Sequence, residues 1–502
     1  MSLPVQIVVF GASGDLTRRK LVPALVRLAA DERLKNPFSV LGVSRSPKSE
    51  TTFRAELAEA VPKELRARFD ELAPRIFYQQ GDVTSQMAVA ALGRRLDGLP
   101  GGSDTGRLFY LSLSPELFQV GVEALARAGL LGAAERERAA WRRLIVEKPF
   151  GRDLASARAL NAALHQHLRE DQIYRIDHYL GKETVQNLLG FRFHNAIFEP
   201  IWNRNHVELV QITAAESIGV ERGRAAYYDE TGGLRDMVQN HMLQILALVS
   251  MEPPATLDPD AVRGQKVELL RGLSCAEPRG GVRARYARAG KSDDSLRGYV
   301  EEEGVPRDSE TETYVALRAE IHNWRWSGVP FLLRHGKRLP ERFTEIQVRF
   351  RTPPLQLFNR PEGMPEMDFS RALRDGSLCQ IRPNVLTLRL QPREAIRLSF
   401  GVKQPGNAMV MEPAHLDFDY REHFGTDPPE AYDRLLLDAL QGDQTLFLRA
   451  DEIEASWRFV DGVREAWDGP ASSPLLEYPA GSWGPPEADA LFEGCMGTWS
   501  RG

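Results

Sequence analysis

The eight residues from Arg175 to Lys182, RIDHYLGK, bring together an acid (Asp177), two cations (Arg175, Lys182), an imidazole (His178) and a phenol (Tyr179). They run into KETVQNLLG, where the spacing of Val185, Leu188 and Leu189 predicts a helix. Gly181 and Lys182 then stand at a helix start, whose free N–H groups and positive dipole end favour an anion. A lysine and a histidine at such a place suit a phosphate monoester. A salt-bridged surface turn would use the same residue types, so other chemically capable stretches must decide.

One of these is GGLRDMVQNHMLQILALVS (232–250), which reads as a helix with Leu234, Met237, His241, Ile245 and Leu248 on one face. A histidine on an apolar stripe is ordinarily a core residue. Here Asp236 and Asn240 share the helix, and Asp177 beside the phosphate turn needs a partner. On an α-helix Asp236 lies about 140° round from His241, too far to orient the imidazole. Asp177, from another element, is the better orienter. The pair then has a base, His241, and an acid that fixes its tautomer and stabilises the imidazolium. Asp236 and Glu216 are left to bind substrate hydroxyls.

A third stretch is the turn Gly11-Ala12-Ser13-Gly14-Asp15-Leu16, which follows the apolar run VQIVVF and opens a helix. Its glycines admit a pyrophosphate close to the backbone, and Ser13 and Thr17 add hydroxyls. The third glycine of the usual dinucleotide pattern is missing, so position carries the reading. The next strand ends in Ser44, Arg45 and Ser46, with no acid for a ribose 2′-hydroxyl. Arg45 suits a 2′-phosphate, which favours NADP and leaves NAD as the weaker alternative. Asp82 and Val83 fall where adenine would lie. EKPFG (147–151) ends a further strand, with Lys148 directed to the crevice and Pro149 in a cis or strained linkage.

The elements that must position these groups are legible in outline. Residues 5–10 and 38–43 are strands flanking a glycine turn and a helix with Pro23 in its first turn. That βαβ unit continues through RIFYQQGDV, RLFYLSL and RRLIVEKPFG, which predicts a doubly wound, Rossmann-like α/β domain over residues 1–178. From 179 to 502, VELVQITAAE, TYVALRAEI, TEIQVRF, VLTLRL and AIRLSF predict an α+β domain with a large, mainly antiparallel sheet. Loops are expected at 101–106, 277–297 and 359–367, and the tail from Pro470 should pack loosely.

Bulk properties exclude several classes. The 502 residues are 42% hydrophobic and 26% charged with a net charge of −5, which argues against nucleic-acid and membrane partners. The arginine-rich stretch 277–297 reads as a solvated loop. Cys275, Cys379 and Cys495 form neither a disulfide framework nor a metal quartet, so no metal is expected and a cytoplasmic location fits.

GASGDLTRRK, EKPFGRDLASA, RIDHYLGKETVQN and RDMVQNH, in that order, resemble the glucose-6-phosphate dehydrogenase family. The later segments YVEEEGVPRDSETETYVALRAEI, NWRWSGVPF, RHGKRL, LQPREAI and GDQTLFLRADEIEASW agree. The resemblance spans about residues 6 to 460. It implies oxidation of the C1 hydroxyl of glucose 6-phosphate to 6-phosphogluconolactone with NADP⁺, the entry step of the oxidative pentose phosphate pathway. It implies His241 as general base and Asp177 as its partner, with His178, Tyr179 and Lys182 on the phosphate. Lys148, Glu216 and Asp236 fall on the sugar, Lys337 and Arg342 complete the substrate site, and Lys20 closes the glycine-turn motif. A homodimer or homotetramer built through the large sheet is expected.

Some positions depart from the family pattern. YLSLSPE (110–116) lacks the usual Pro-Pro pair, and His322 stands where an aspartate is common. Phe343 and Gln347 lack the charges of a second, structural NADP site, so none is expected. Two rivals stay open. One is another nicotinamide-dependent sugar oxidoreductase; the other is a non-catalytic paralogue that binds sugar phosphate or dinucleotide.

Overall fold

The computed structural model describes all residues except 1–2, 35–36, 133–139, 221–222, 276–280, 291–295, 354–363, 369–370, 372–382, 408–410, 426–428, 470–472 and 494–496. The chain forms two compact units. The first comprises 1–186 and takes back two later segments, 252–268 and 429–458; the second comprises 187–251, 269–428 and 459–502. The division expected after residue 178 follows sequence pattern alone, whereas contacts assign 252–268 and 429–458 to the first unit.

The first unit is built on β1 (Val5–Phe10), β2 (Phe38–Ser44), β3 (Ile76–Gln80), β4 (Gly106–Leu111), β5 (Arg142–Val146) and β6 (Ile173–Ile176). All six run parallel, in the order β6-β5-β4-β1-β2-β3. β1 and β4 are buried along their whole length, as helices on both faces of a parallel sheet require. The order reverses between β1 and β4, and in such sheets ligands bind beyond the strand ends at that point. A late strand, Phe447–Leu448, pairs antiparallel with β6 and closes that edge. Pro23 stands in the first turn of helix Val22–Ala30, as expected, although the turn ahead of it, Thr17–Leu21, is π-wound.

The second unit holds a larger sheet. Its strands are β7 (Val207–Ala215), β8 (Leu273–Cys275), β9 (Val282–Ala287), β10 (Tyr314–Ile321), β11 (Phe331–Gly336), β12 (Phe343–Phe350), β13 (Val385–Gln391), β14 (Ala395–Lys403) and β15 (Met411–Asp419). Numbering Phe447–Leu448 of the first unit β16, the last strand is β17 (Leu475–Pro479). The order is β15-β14-β13-β12-β7-β11-β10-β9-β17, with β8 also beside β10. Pairing is antiparallel except for β11 on β7 and β17 on β9, so the expectation of a mainly antiparallel sheet holds.

Two expectations need correction. The arginine-rich stretch 277–297 is not all loop: Val282–Ala287 is strand β9, with Val282, Ala284 and Tyr286 buried and Arg283 and Arg285 on the other face. The alternation covers only six residues and is masked by the surrounding glycines and arginines. Nor does the tail pack loosely. β17 joins the sheet, and Tyr478, Ala480, Leu491, Phe492 and Trp499 belong to its core. Arg334 lies 5.0 Å from the Trp499 ring centre, and the Ser500 hydroxyl donates to Glu345. Most of the loop expected at 359–367 lies outside the described residues.

Candidate active site

In the first unit the glycine turn sits at the switch between β1 and β4. Gly11 has φ 73°, and a Cβ there would lie 1.9 Å from the Ser112 carbonyl oxygen beyond β4, so only glycine fits. Ala12 is buried, its N–H donating to the Val43 carbonyl at 3.2 Å, while Gly14 and Asp15 are exposed and Leu16 is half-buried. The Ser13 and Ser44 hydroxyls meet at 2.6 Å, and Ser44 meets the Tyr78 hydroxyl at 2.7 Å. The Thr17 hydroxyl is buried with no hydrogen-bond partner among the described residues. A buried hydroxyl left in that state and a turn held bare of side chains fit a dinucleotide phosphate.

Arg45 is exposed at the end of β2 and makes no ion pair among the described residues. Lys20 is exposed too, and pairs with Glu430 at 3.0 Å. Asp82 is committed locally: one oxygen accepts from the Thr84 N–H at 2.9 Å and the Thr84 hydroxyl at 2.8 Å, and these bonds hold the carboxyl below its usual range. Beside it Val83 is buried.

Glu147 follows β5 directly, and the Lys148–Pro149 bond is cis. Sequence reading passed over Glu147. Burial pushes its carboxyl up, while hydroxyls from Tyr110 and, at 3.2 Å, Tyr432 donate to it. Its only sequence signal was the acid beside Lys148, because Tyr432 arrives from 285 residues away.

RIDHYLGK folds as a tight turn after β6. Asp177 is buried and accepts from the Tyr179 N–H at 2.9 Å, and the Leu180 N–H donates to the Asp177 carbonyl at 3.1 Å. Lys182 Nζ lies 4.0 Å from the Tyr179 ring centre, and the His178 ring lies 5.2 Å from that of Tyr179. The helix Glu183–His194 begins directly after Lys182, where the spacing placed it. Gly181 is needed for packing, since a Cβ would lie 2.7 Å from the Ala431 carbonyl oxygen. Arg175, by contrast, is a structural cation: it is buried and donates to Glu170 at 2.6 Å.

The second unit gathers the other candidates. Beyond β7, Glu216 receives the Lys337 ammonium, which follows β11. Burial works to raise the Glu216 carboxyl, but the Lys337 ammonium outweighs it and holds it below the usual range. The Lys337 ammonium also lies 4.9 Å from the Tyr228 ring centre. His335 donates from Nδ1 to the Ala214 carbonyl at 2.9 Å, and burial keeps its pKa low, so it is neutral. Arg342 is exposed, on the connection between β11 and β12. His322, flagged as a departure, meets the Ser274 hydroxyl at 2.7 Å, and Phe343 lies in the core.

His241 is buried, and its helix corrects a premise. The segment Leu234–Met242 is π-wound and only Leu243–Ser250 is α. In a π-turn hydrogen bonds run from i to i+5, so residues five apart come within about 50° of one another. Asp236 and His241 therefore share one side of the helix, and the angular reason for setting Asp236 aside does not apply. The Asn240 side chain accepts from the His241 N–H at 2.6 Å.

Residues 8–187 match the model for "Glucose-6-phosphate dehydrogenase, NAD binding domain", and residues 189–500 that for "Glucose-6-phosphate dehydrogenase, C-terminal domain". The chain is 43% identical over 504 residues to glucose-6-phosphate 1-dehydrogenase of Chlamydia pneumoniae, covering 99% of this chain and 96% of the relative. The corresponding protein of Aggregatibacter actinomycetemcomitans is 44% identical over 512 residues, with 99% and 97% covered. A solved glucose-6-phosphate dehydrogenase in complex with its substrate glucose 6-phosphate superposes with a TM-score of 0.87 at 33% identity, over the full length of both chains.

Proposed function

The chain belongs to the glucose-6-phosphate dehydrogenase family through both of its domains and oxidises glucose 6-phosphate, and we propose that it does so at C1 with NADP⁺, using His241 as general base. Bound oxidised nicotinamide supplies the hydride acceptor. His241 takes the C1 hydroxyl proton, help worth about 10²–10⁴-fold in rate. Asp177 serves as the partner that holds the imidazole in the accepting tautomer.

The observation that carries this reading is the π-wound turn that sets buried His241 on one side of a helix with half-buried Asp236. In the same unit, Glu216 and Lys337 form a neutralised pair suited to uncharged hydroxyls. Lys148, Glu216 and Asp236 are assigned to the sugar, His178, Tyr179 and Lys182 to the phosphate, and Lys337 and Arg342 to the rest of the substrate site. Gly11 to Thr17, Lys20, Asp82 and Val83 are assigned to the dinucleotide, with Arg45 on the 2′-phosphate. Arg45 supports NADP over NAD because it is a solvated cation without an ion pair among the described residues.

A homodimer or homotetramer through the large sheet is supported by β14 and β15, whose residues are mostly half-buried or exposed, including Val402 and Leu416. No helix among the described residues is long and apolar enough to cross a membrane. We assign the protein to the cytoplasm, without nucleic-acid or membrane partners.

The test is absorbance of reduced nicotinamide with glucose 6-phosphate or free glucose, each with NADP⁺ or NAD⁺. Fast turnover is expected only with the phosphorylated sugar, and most efficiently with NADP⁺. Equal use of both sugars or a preference for NAD⁺ would overturn the assignments of the phosphate turn or of Arg45.

A further inference from the structure

We propose that Glu312 and Thr313 form a brace that sets the helix bearing His241 in register with the Glu216–Lys337 pair, and that Glu312 is a positioning residue for the reaction. The proposal rests on the reading of His241 as the base. Helix Ala225–Gly233 breaks at Gly232, which has φ 68° and ψ 172°. A Cβ there would lie 2.4 Å from Glu312 Oε1, so the carboxylate lies against bare backbone at the break. The next two N–H groups both end on Glu312: Gly233 donates to its main-chain oxygen at 3.0 Å and Leu234 to Oε1 at 2.9 Å.

Thr313 faces the other way in function. Its carbonyl accepts from the Lys337 N–H at 3.0 Å, and the Lys337 side chain is the one that meets Glu216. Two consecutive residues thus hold the start of the helix that carries Asp236 and His241 and the backbone of the lysine beside Glu216. The first N–H groups of a helix have no acceptor within it, and a glycine break leaves its direction unrestrained. Without the Glu312 oxygen, the helix start is free to shift by a fraction of a turn, and a displacement of about 1 Å can cost 10²-fold in rate.

The brace depends on reach, because an amide oxygen accepts the Leu234 N–H as a carboxylate oxygen does. Glu312→Gln keeps the reach and loses the charge; Glu312→Asp keeps the charge and loses the reach. A cavity of about 230 Å³, lined in part by Leu234, Arg283 and Glu312, admits water to the vacated place, so Glu312→Ala should also fold.

The experiment measures kcat, KM for each substrate and the pH profile of kcat/KM for the three variants, with His241→Asn in the same series. We expect Glu312→Gln to stay within about threefold of wild type. Glu312→Asp and Glu312→Ala should lose about 10- to 100-fold in kcat with KM for NADP⁺ unchanged and the acidic limb of the profile displaced. A merely structural role would lower thermal stability without moving that limb. The reverse order, Asp active and Gln inactive, overturns the brace in favour of charge, and so do three variants that all behave like wild type. If Ala does not fold, the order of Gln and Asp still decides. An active His241→Asn enzyme overturns the base reading and the brace with it, whereas an inactive one with the wrong Glu312 order overturns the brace alone.

Discussion

The two units hold their functional charges in opposite ways. At the end of β2 the first unit leaves Arg45 in solvent with no ion pair among the described residues, and it leaves the Thr17 hydroxyl buried without a partner among them. The second unit pairs its groups in advance: Lys337 with Glu216, neutral His335 with Ala214, Glu312 with the Leu234 N–H. The difference follows from what each must bind. A dianionic phosphate brings its own countercharge, so a solvated cation waits at little cost. A sugar hydroxyl is neutral, so buried charges beside it must neutralise each other first, since an uncompensated buried ion costs several kcal/mol.

The largest expected effect lies in the second unit. His241→Asn should lower kcat by about 10²–10⁴-fold while leaving dinucleotide affinity, a property of the first unit, unchanged. An enzyme of near-normal kcat would return His241 to a core role. Next comes the neutralised pair. Lys337→Met strands the Glu216 carboxylate; calorimetry should show a loss of stability of about 3–5 kcal/mol, and glucose 6-phosphate turnover should fall. The double variant with Glu216→Leu should recover most of that stability, because no buried charge is left. Equal stabilities for single and double variants would mean that the pair is solvated and the contrast with Arg45 is wrong.

Arg45→Ala sharpens the contrast from the other side. KM for NADP⁺ should rise about 10- to 100-fold, as expected for a charge-assisted contact worth about 1.5–3 kcal/mol, with no change in Tm. KM for NAD⁺ should move far less. Parallel losses for both cofactors would show that Arg45 supports the fold. The smallest effect on overall chemistry is expected of Lys182→Ala. It should weaken glucose 6-phosphate binding on the same charge-assisted scale and leave slow oxidation of free glucose almost untouched. If both sugars suffer alike, the phosphate contact belongs elsewhere, with Lys337 and Arg342 first in line.

Local pattern made much of the site readable. Gly11 is legible because an apolar strand leads into it, and the helix after Lys182 because its apolar spacing is uninterrupted. The π-winding of Leu234–Met242 was not, since α and π turns draw on the same residue types and differ in which carbonyl each N–H finds. β9 and the buried tail were missed for a related reason. Six residues of alternation weigh little in a window full of arginine and glycine, and they become a strand only when β10 and β17 supply partners.

By itself, then, the sequence determined what depends on neighbours along the chain: the run of βαβ units, the bare glycine turn, the phosphate-type turn ahead of a helix, and the presence of His241 on an apolar face. Only the tertiary structure decided what depends on groups far apart in sequence. Lys337 meets Glu216 across 121 residues, Tyr432 reaches Glu147 across 285, and Glu312 holds Leu234 across 78. Glu312 is buried and Glu216 and Glu147 are half-buried, and taking a carboxyl group out of water is tolerable only where a donor is brought to it. The donor's identity is a property of the packed chain, because closing such long loops requires the whole sheet to form before either partner is in reach.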